Sequence, residues 1–372
     1  MSDSPRPQVE EPRTIGYEPG TDKPRGLTRR GWTMVTSFVV VAVLALLGGF
    51  VKVPYVSLGP GPTYNTLGSI DGQVVVEVDG TKTYPTSGQL RMTTVSINDE
   101  VTLFDALGKW VSGRYALAPR DEYFGPGQTQ EDLERENTKM FQDSQSAAET
   151  AALRLLDQPV KVIAQEITRG APADRFIQPG DRLWEVNGQP IAAQEDVRKA
   201  LQGTKPGQTV AVTFQHEAEA KQTVDVALGK ASDFDRTDTR PEGFLGLAPA
   251  DRADVQFEIN IHLEDVGGPS AGLIFALAIV DSLTPGEMED GRTVAGTGAI
   301  DVKGNVQPIG GIPFKLIAAK EDGATTFLVP ADNCAEAKSN APDDMQLVKV
   351  ETLAGAVEAL EDLDEGRTPP RC

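Results

Sequence analysis

An α+β protein tethered by a single N-terminal transmembrane helix is the fold class the sequence predicts, and three observations predict it. Between Trp32 and Val51 the chain carries no charged residue, long enough as a helix to cross the hydrocarbon core of a bilayer. Further on, Val255, Phe257, Ile259 and Ile261 alternate with Gln256, Glu258, Asn260 and His262, the period of a half-buried strand, and an almost continuous apolar run from Leu273 to Leu283 reads as a buried helix. Between these, residues 159–229 read as short strands around one short helix.

In chain order, residues 1–31 are rich in Pro, Glu, Asp and Arg and read as a disordered cytoplasmic tail. Arg25, Arg29 and Arg30 sit just before the apolar stretch 32–51, which places the N-terminus inside and the bulk of the chain outside the cytoplasm. The stretch is longer than a signal-peptide core and no Ala-x-Ala site follows, so it reads as an uncleaved anchor. Residues 52–68, with Pro54, Gly59, Pro60, Gly61 and Pro62, read as an extended linker. Trp110, Tyr115, Tyr123 and Phe124 precede a charged run, Glu131 to Glu136, and read as ordinary surface helix and loop.

Net charge is −20, and the first 31 residues contribute almost nothing to it with six basic and five acidic side chains. That acidity argues against a nucleic-acid partner. Cys334 and Cys372 are the only cysteines, so no disulfide framework forms, although one bridge between them is open. No ligand cluster points to a metal, no phosphate-binding Gly-x-x-x-x-Gly-Lys-Ser/Thr loop occurs, and no cofactor is expected.

Gly267-Gly268-Pro269-Ser270-Ala271-Gly272 presents one serine at a strand-to-helix turn, where a nucleophile sits beside the positive end of a helix. Gly268-x-Ser270-x-Gly272 also fits the elbow of Ser-Asp-His hydrolases, but His216 and His262 both precede Ser270, so that chain order is impossible. His262, in the preceding strand, reads as a sheet residue rather than the base. A lysine is the remaining activator, provided its pKa is depressed. Lys315 follows a Gly-Gly-x-Pro turn into a helix and has the apolar neighbours Ile312, Ala318 and Ala319; periodicity leaves Lys320 open as well.

The ordered set Gly-Gly-Pro-Ser270-Ala-Gly, Thr297-Gly298-Ala299-Ile300, Gly304-x-Val306-x-Pro308-Ile309-Gly310-Gly311, Lys315-x-x-Ala318-Ala319 and Val329-Pro330-x-x-Asn333 resembles the proteolytic domain of Lon-type proteases. The resemblance implies Ser270 as nucleophile, Lys315 as base and Thr297 as a support for the lysine, with backbone groups near Gly268 to Ala271 at the oxyanion. Gly267 and Ala299 stand where many of these enzymes have supporting carboxylates. Upstream, Gly88 to Val95 resembles a strand near the start of the same domain, and Met140 to Ala148 resembles the helix that follows it.

Gly170-Ala171-Pro172-Ala173 and Pro179-Gly180-Asp181-x-Leu183-x-x-Val186-Asn187-Gly188 resemble a bacterial PDZ domain, whose kind binds extended peptides at a sheet edge. Its carboxylate loop is expected near 158–162, where the usual glycine is missing. The resemblance therefore implies a Lon-like domain split by an inserted PDZ domain. Its expected parts are 69–157, the PDZ domain at 158–229, a linker at 230–243, the catalytic part at 244–362 and a tail at 363–372. The layout resembles the membrane-anchored, PDZ-containing Lon-like proteases of Gram-positive bacteria. It implies an ATP-independent endopeptidase acting on peptides or flexible segments outside the cytoplasm, and a homo-oligomeric ring. The alternative is a catalytically silent membrane scaffold built around the PDZ domain.

Overall fold

A computed structural model of the chain describes residues 28–125, 127–264, 266–286 and 288–372. The expected cytoplasmic tail lies outside the described residues up to position 27. Helix α1 (Arg29–Phe50) opens the described chain, capped by the Thr28 hydroxyl, which accepts from the Gly31 N–H. Its 22 residues rise about 33 Å at 1.5 Å each. It is long and apolar enough to cross a membrane, and only Gly48 along it is buried.

The first half of the body contains β1 (Tyr55–Asn65), β2 (Val76–Asp79), β3 (Gln89–Asn98), α2 (Leu103–Ser112), β4 (Ala116–Pro119) and α3 (Gln130–Leu155). A second module follows, with β5 (Val160–Ile167), β6 (Arg182–Val186), α4 (Gln194–Ala200), β7 (Thr209–Gln215), β8 (Gln222–Ala227) and β9 (Leu247–Ala253). The chain closes with β10 (Glu258–Ile261), α5 (Gly272–Leu283), β11 (Thr293–Gly296), α6 (Ile312–Glu321), β12 (Thr326–Pro330), α7 (Cys334–Asn340), β13 (Gln346–Val350) and α8 (Leu353–Asp364).

Strands from before and after the second module share one six-stranded sheet in the order β13-β12-β11-β3-β1-β4. The strands β3, β11, β12 and β13 run parallel, and β1 and β4 add antiparallel pairs at the other side. The second module has its own sheet, β8-β7-β6-β5-β9, so β9 extends it beyond the stretch expected for that domain.

Residues 52–68 are extended as expected but are no spacer. Most of them form β1 inside the sheet, with Val56 fully buried and Leu58 nearly so. Pro60 and Pro62 cannot donate to a ladder, and the register with β3 shifts between Pro60 and Thr63, so a proline-rich segment is tolerated at an irregularity. Nothing local to the segment encodes that pairing.

Helix α5 is apolar on every side, and Gly272 to Asp281 are all buried. It lies against α3, where the Phe141 and Phe275 rings meet edge-on at 5.7 Å. Around it Leu90, Met92, Val294, Leu328, Val348 and Leu360 complete the main core. The carboxyl end is held back on the body: a Cys334–Cys372 disulfide forms, and the Lys349 N–H donates to the Pro370 carbonyl at 2.9 Å. Because Leu277 is fully buried among residues that cannot collapse far, Leu277→Ala is expected to lower stability by about 2–5 kcal/mol, read as a shift in urea midpoint at unchanged slope.

Candidate active site

The serine is positioned by a backbone clasp. Its carbonyl accepts from the Gly298 N–H at 2.8 Å and from the Thr297 hydroxyl at 3.0 Å, while the Leu273 N–H donates to the Gly298 carbonyl at 3.0 Å. These bonds lock the turn before α5 to the segment that leaves β11. From the other side, α3 holds the same turn: the Ser144 hydroxyl donates to the Pro269 carbonyl at 3.0 Å, and the Gly268 N–H donates to the Asn137 carbonyl at 3.0 Å. At Gly267 an added Cβ would come within 2.7 Å of Asn137 Cβ, so this packing leaves no room for a carboxylate side chain there.

Lys315 enters from the first turns of α6. Its Nζ lies 2.7 Å from Ser270 Oγ and 2.8 Å from Thr297 Oγ1. The Thr297 hydroxyl spends its single proton on the Ser270 carbonyl and therefore meets the lysine as an acceptor, which orients the amine. Thr297 is fully buried and Lys315 only 2% exposed. Burial pushes the lysine's pKa down from 10.5 to about 7, because an ammonium loses hydration there that two hydroxyls only partly replace. About half of the amine is thus neutral and able to accept a proton at pH 7.

Two of the sequence expectations change in detail. The Gly268 N–H is engaged by Asn137, so within Gly268 to Ala271 the donors left toward an oxyanion are the N–H groups of Ser270 and Ala271, which have no acceptor among the described residues. Lys320, the other lysine that periodicity allowed, points away and pairs with Asp344. His262 lies one residue past β10, with its Nε2 3.0 Å from Glu77 Oε2 and no bond to Ser270.

Ser270 and Lys315 open into a cleft of about 550 Å³. One wall is β3 from Thr94 to Ile97, and the other includes Pro308, Ile309 and Gly310. Strand β11 pairs with β3 only over Gln89–Met92, so the following residues of β3 keep that edge open toward the cleft.

A second and larger cavity, about 820 Å³, lies in the other module between α4 and the Gly243–Pro249 segment. Residues 158–162, expected to hold a carboxylate loop, instead lead into β5, which is covered by β9. The edge strand beside the helix is β9, and the loop entering it is Gly243-Phe244-Leu245-Gly246-Leu247, with Arg198 and Arg240 nearby. Gly246 has φ +86, and a Cβ there would sit 2.1 Å from Ala171 Cβ, so the loop requires glycine twice over. The polar stretch 230–243, expected as a return linker, thus supplies part of a cavity wall. The apolar-glycine-apolar run Leu245-Gly246-Leu247 was the available signal for it.

Asp251, fully buried on β9, joins this cavity to the catalytic core. It accepts from Arg154 of α3 at 2.8 Å and from the Gln194 N–H at the start of α4 at 2.8 Å. Arg154 also donates to the Val302 carbonyl at 2.8 Å. Helix α3 therefore touches the serine turn through Asn137 and Ser144 and the second module through Arg154. No spacing in the sequence reveals this junction, because its partners lie 97 residues apart.

Residues 251–361 match the Lon protease (S16) C-terminal proteolytic domain, and residues 133–228 match the PDZ domain. The Lon protease of Rickettsia typhi is 36% identical over 104 residues, covering 26% of this chain and 13% of that protein. Lon protease 2 of Herpetosiphon aurantiacus is 30% identical over 178 residues, covering 46% of this chain and 20% of that protein. The similarity thus spans a minor part of these relatives' length. The PDZ domain of an SdrC-like protein from Listeria monocytogenes, a solved structure, aligns over 24% of this chain and 86% of its own, at 18% identity and a TM-score of 0.21. The matches to a Lon-type proteolytic domain and to a PDZ domain, together with one N-terminal apolar helix, fit a membrane-anchored PDZ Lon-like protease.

Proposed function

We propose that the chain is an ATP-independent serine endopeptidase in which Ser270 is the nucleophile and Lys315 the general base. The observation that carries this reading is the approach of a buried amine with a pKa of about 7 to within 2.7 Å of the serine hydroxyl. Neutral Lys315 takes the hydroxyl proton as Ser270 Oγ bonds to the scissile carbonyl carbon, and the N–H groups of Ser270 and Ala271 receive the oxyanion. The C–N bond then breaks as the lysine returns its proton to the leaving amine. Water, deprotonated by the same lysine, hydrolyses the acyl-enzyme. Thr297 orients the amine without exchanging a proton.

Substrates on this reading are peptides or flexible segments that lie extended along the open edge of β3. Their source is outside the cytoplasm, with α1 as anchor and Arg29 and Arg30 at its inner end. The cavity between α4 and β9 takes a second extended peptide segment, which recruits the substrate or gates cleavage through Asp251 and α3. Assembly into a homo-oligomeric ring accompanies the reading on resemblance alone. The reading of 69–157 and 244–362 as one proteolytic domain interrupted by the PDZ module is supported by the shared six-stranded sheet.

A silent scaffold would use the same peptide cavity and needs no serine chemistry, so a serine-reactive probe separates the two. Full-length protein is expected to label at Ser270, and labelling disappears in Ser270→Ala and Lys315→Ala; an unlabelled wild type would establish the scaffold. In peptide cleavage, each of these two variants is expected to lose at least about 10³-fold in kcat. Thr297→Val is expected to lose up to about 10²-fold, mainly in kcat, because the lysine loses its orienting partner.

The wild-type rate should rise with pH through about 7 and level off above it, since only the neutral lysine accepts the serine proton. Stability follows the same group. Between about 7 and 10.5 the unfolded chain holds a proton that the folded chain does not, so wild-type stability rises with pH across that window. Lys315→Met removes the buried charge. The variant should therefore be the more stable protein at pH 6, by about 5 kcal/mol before the lost hydrogen bonds are counted, with its advantage shrinking toward pH 10. Thermal melts of both proteins across this range are the check; a constant difference would mean that Lys315 is not held in the depressed state.

A further inference from the structure

Helix α2 is turned inside out for a protein surrounded by water. Its polar side faces the body, where Lys109 Nζ lies 2.9 Å from Asp105 Oδ2 and 2.9 Å from Ser57 Oγ. Its apolar side faces outward: Leu103, Phe104, Leu107, Trp110 and Val111 are each 51–72% exposed. The spacing i, i+1, i+4, i+7, i+8 gathers these side chains into one stripe along ten residues. Tryptophan amid aliphatic residues on such a stripe is the composition of a helix lying in a membrane interface.

A second, independent observation says what covers this face. The stripe is continuous with α1, because the Phe104 ring packs over Gly48 so closely that a Cβ there would lie 2.7 Å from it. Gly48 belongs to the last turn of the helix suited to span the membrane, the level at which hydrocarbon gives way to headgroups. The two helices are held in this relation by a bridge between Lys52 and Thr102, the Val53 N–H donating to the Val101 carbonyl at 2.8 Å, and a Lys52–Glu100 ion pair.

We propose that α2 is an interfacial membrane-docking helix, which lays its apolar stripe into the bilayer beside the exit point of α1 and holds the proteolytic domain against the membrane. The occupant of the stripe is lipid, engaged by apolar burial rather than by anionic headgroups, as a chain with net charge −20 requires. Docking bears on the cleft. At the end of α2, Arg114 forms a two-pronged ion pair with Glu321 at the end of α6, the helix that carries Lys315. Strand β3, which walls the cleft as far as Ile97, ends at Asn98, only five residues before Leu103. The cleft therefore opens close to the bilayer and favours chain segments near the membrane surface.

This proposal rests on the reading of α1 as a membrane anchor, and the test separates the two. The chain has three tryptophans, Trp32, Trp110 and Trp184. Full-length protein carrying Trp32→Phe and Trp184→Phe, reconstituted in neutral phosphatidylcholine vesicles, reports Trp110 alone; a companion with Trp110→Phe and Trp184→Phe reports Trp32. Far-ultraviolet circular dichroism and a cooperative thermal melt, measured on both, confirm folding. With bromine-labelled phosphatidylcholine, Trp110 is expected to lose most of its emission, equally at low and high salt and without anionic lipid. Quenching of Trp32 with Trp110 unaffected overturns the docking helix while leaving the anchor intact. If neither is quenched, the anchor fails and the proposal with it. Efficient disulfide cross-linking of Val111→Cys between copies, with Trp110 unquenched, shows a second copy on the stripe and likewise overturns it.

Discussion

An amine that has to give up its charge near neutrality must be taken out of water, and at Lys315 this requires much of the core around it. The lysine is 2% exposed because α6 packs Ile312, Leu316 and Ala319 into the same layer as β11 and β12. Burial alone would leave the nitrogen free to rotate. Thr297 removes that freedom, and it does so from the end of a strand whose position depends on both neighbours in the parallel part of the sheet. The depressed pKa, the orientation of the nitrogen and the 2.7 Å approach to Ser270 are therefore three results of one packing arrangement.

The same packing accounts for the absence of a side chain at Gly267, beside the serine turn. At Gly267 the space is filled by Asn137 of α3, and the turn is held by hydrogen bonds from Ser144 and to Asn137. Helix α3 holds the serine turn at one end, and its far end reaches Asp251 and thereby the cavity beside α4. A rigid helix touching both places gives the two cavities a physical connection. Its capping box at Thr129 and Asp132 starts it cleanly, and Arg154 ends it on the buried carboxylate.

The legible parts of this molecule are those whose signal is local. The apolar run of α1, the all-apolar α5 and the alternation around β10 are each readable from neighbours a few residues apart. Ser270 stands out because glycines surround it before an apolar helix. Lys315 is only half legible: its apolar neighbours were visible, but Lys320 had a similar pattern and differs in facing Asp344 at the surface. The segment of β1 reads as a spacer because its prolines and glycines imitate one, while its pairing with β3 and β4 is a property of the whole sheet. The sequence places a carboxylate loop at 158–162, ahead of the module, whereas the cavity lies beside β9, which returns to the sheet from its far end.

By itself the sequence determined the types of element, the candidate nucleophile and a short set of candidate bases, because periodicity, turn chemistry and charge are written in consecutive residues. It also determined that a histidine-based triad in the elbow order is impossible. The motif resemblance implied roles for Lys315 and Thr297, but only the tertiary structure decided that the amine is buried within hydrogen-bond reach of both hydroxyls, which backbone donors stay free, and that α2 shows its apolar side outward beside α1. Each of these depends on residues tens to hundreds of positions apart meeting at hydrogen-bond or van der Waals distance. Desolvation, which sets the lysine's pKa, is a property of what surrounds a group in space, and no local pattern encodes it.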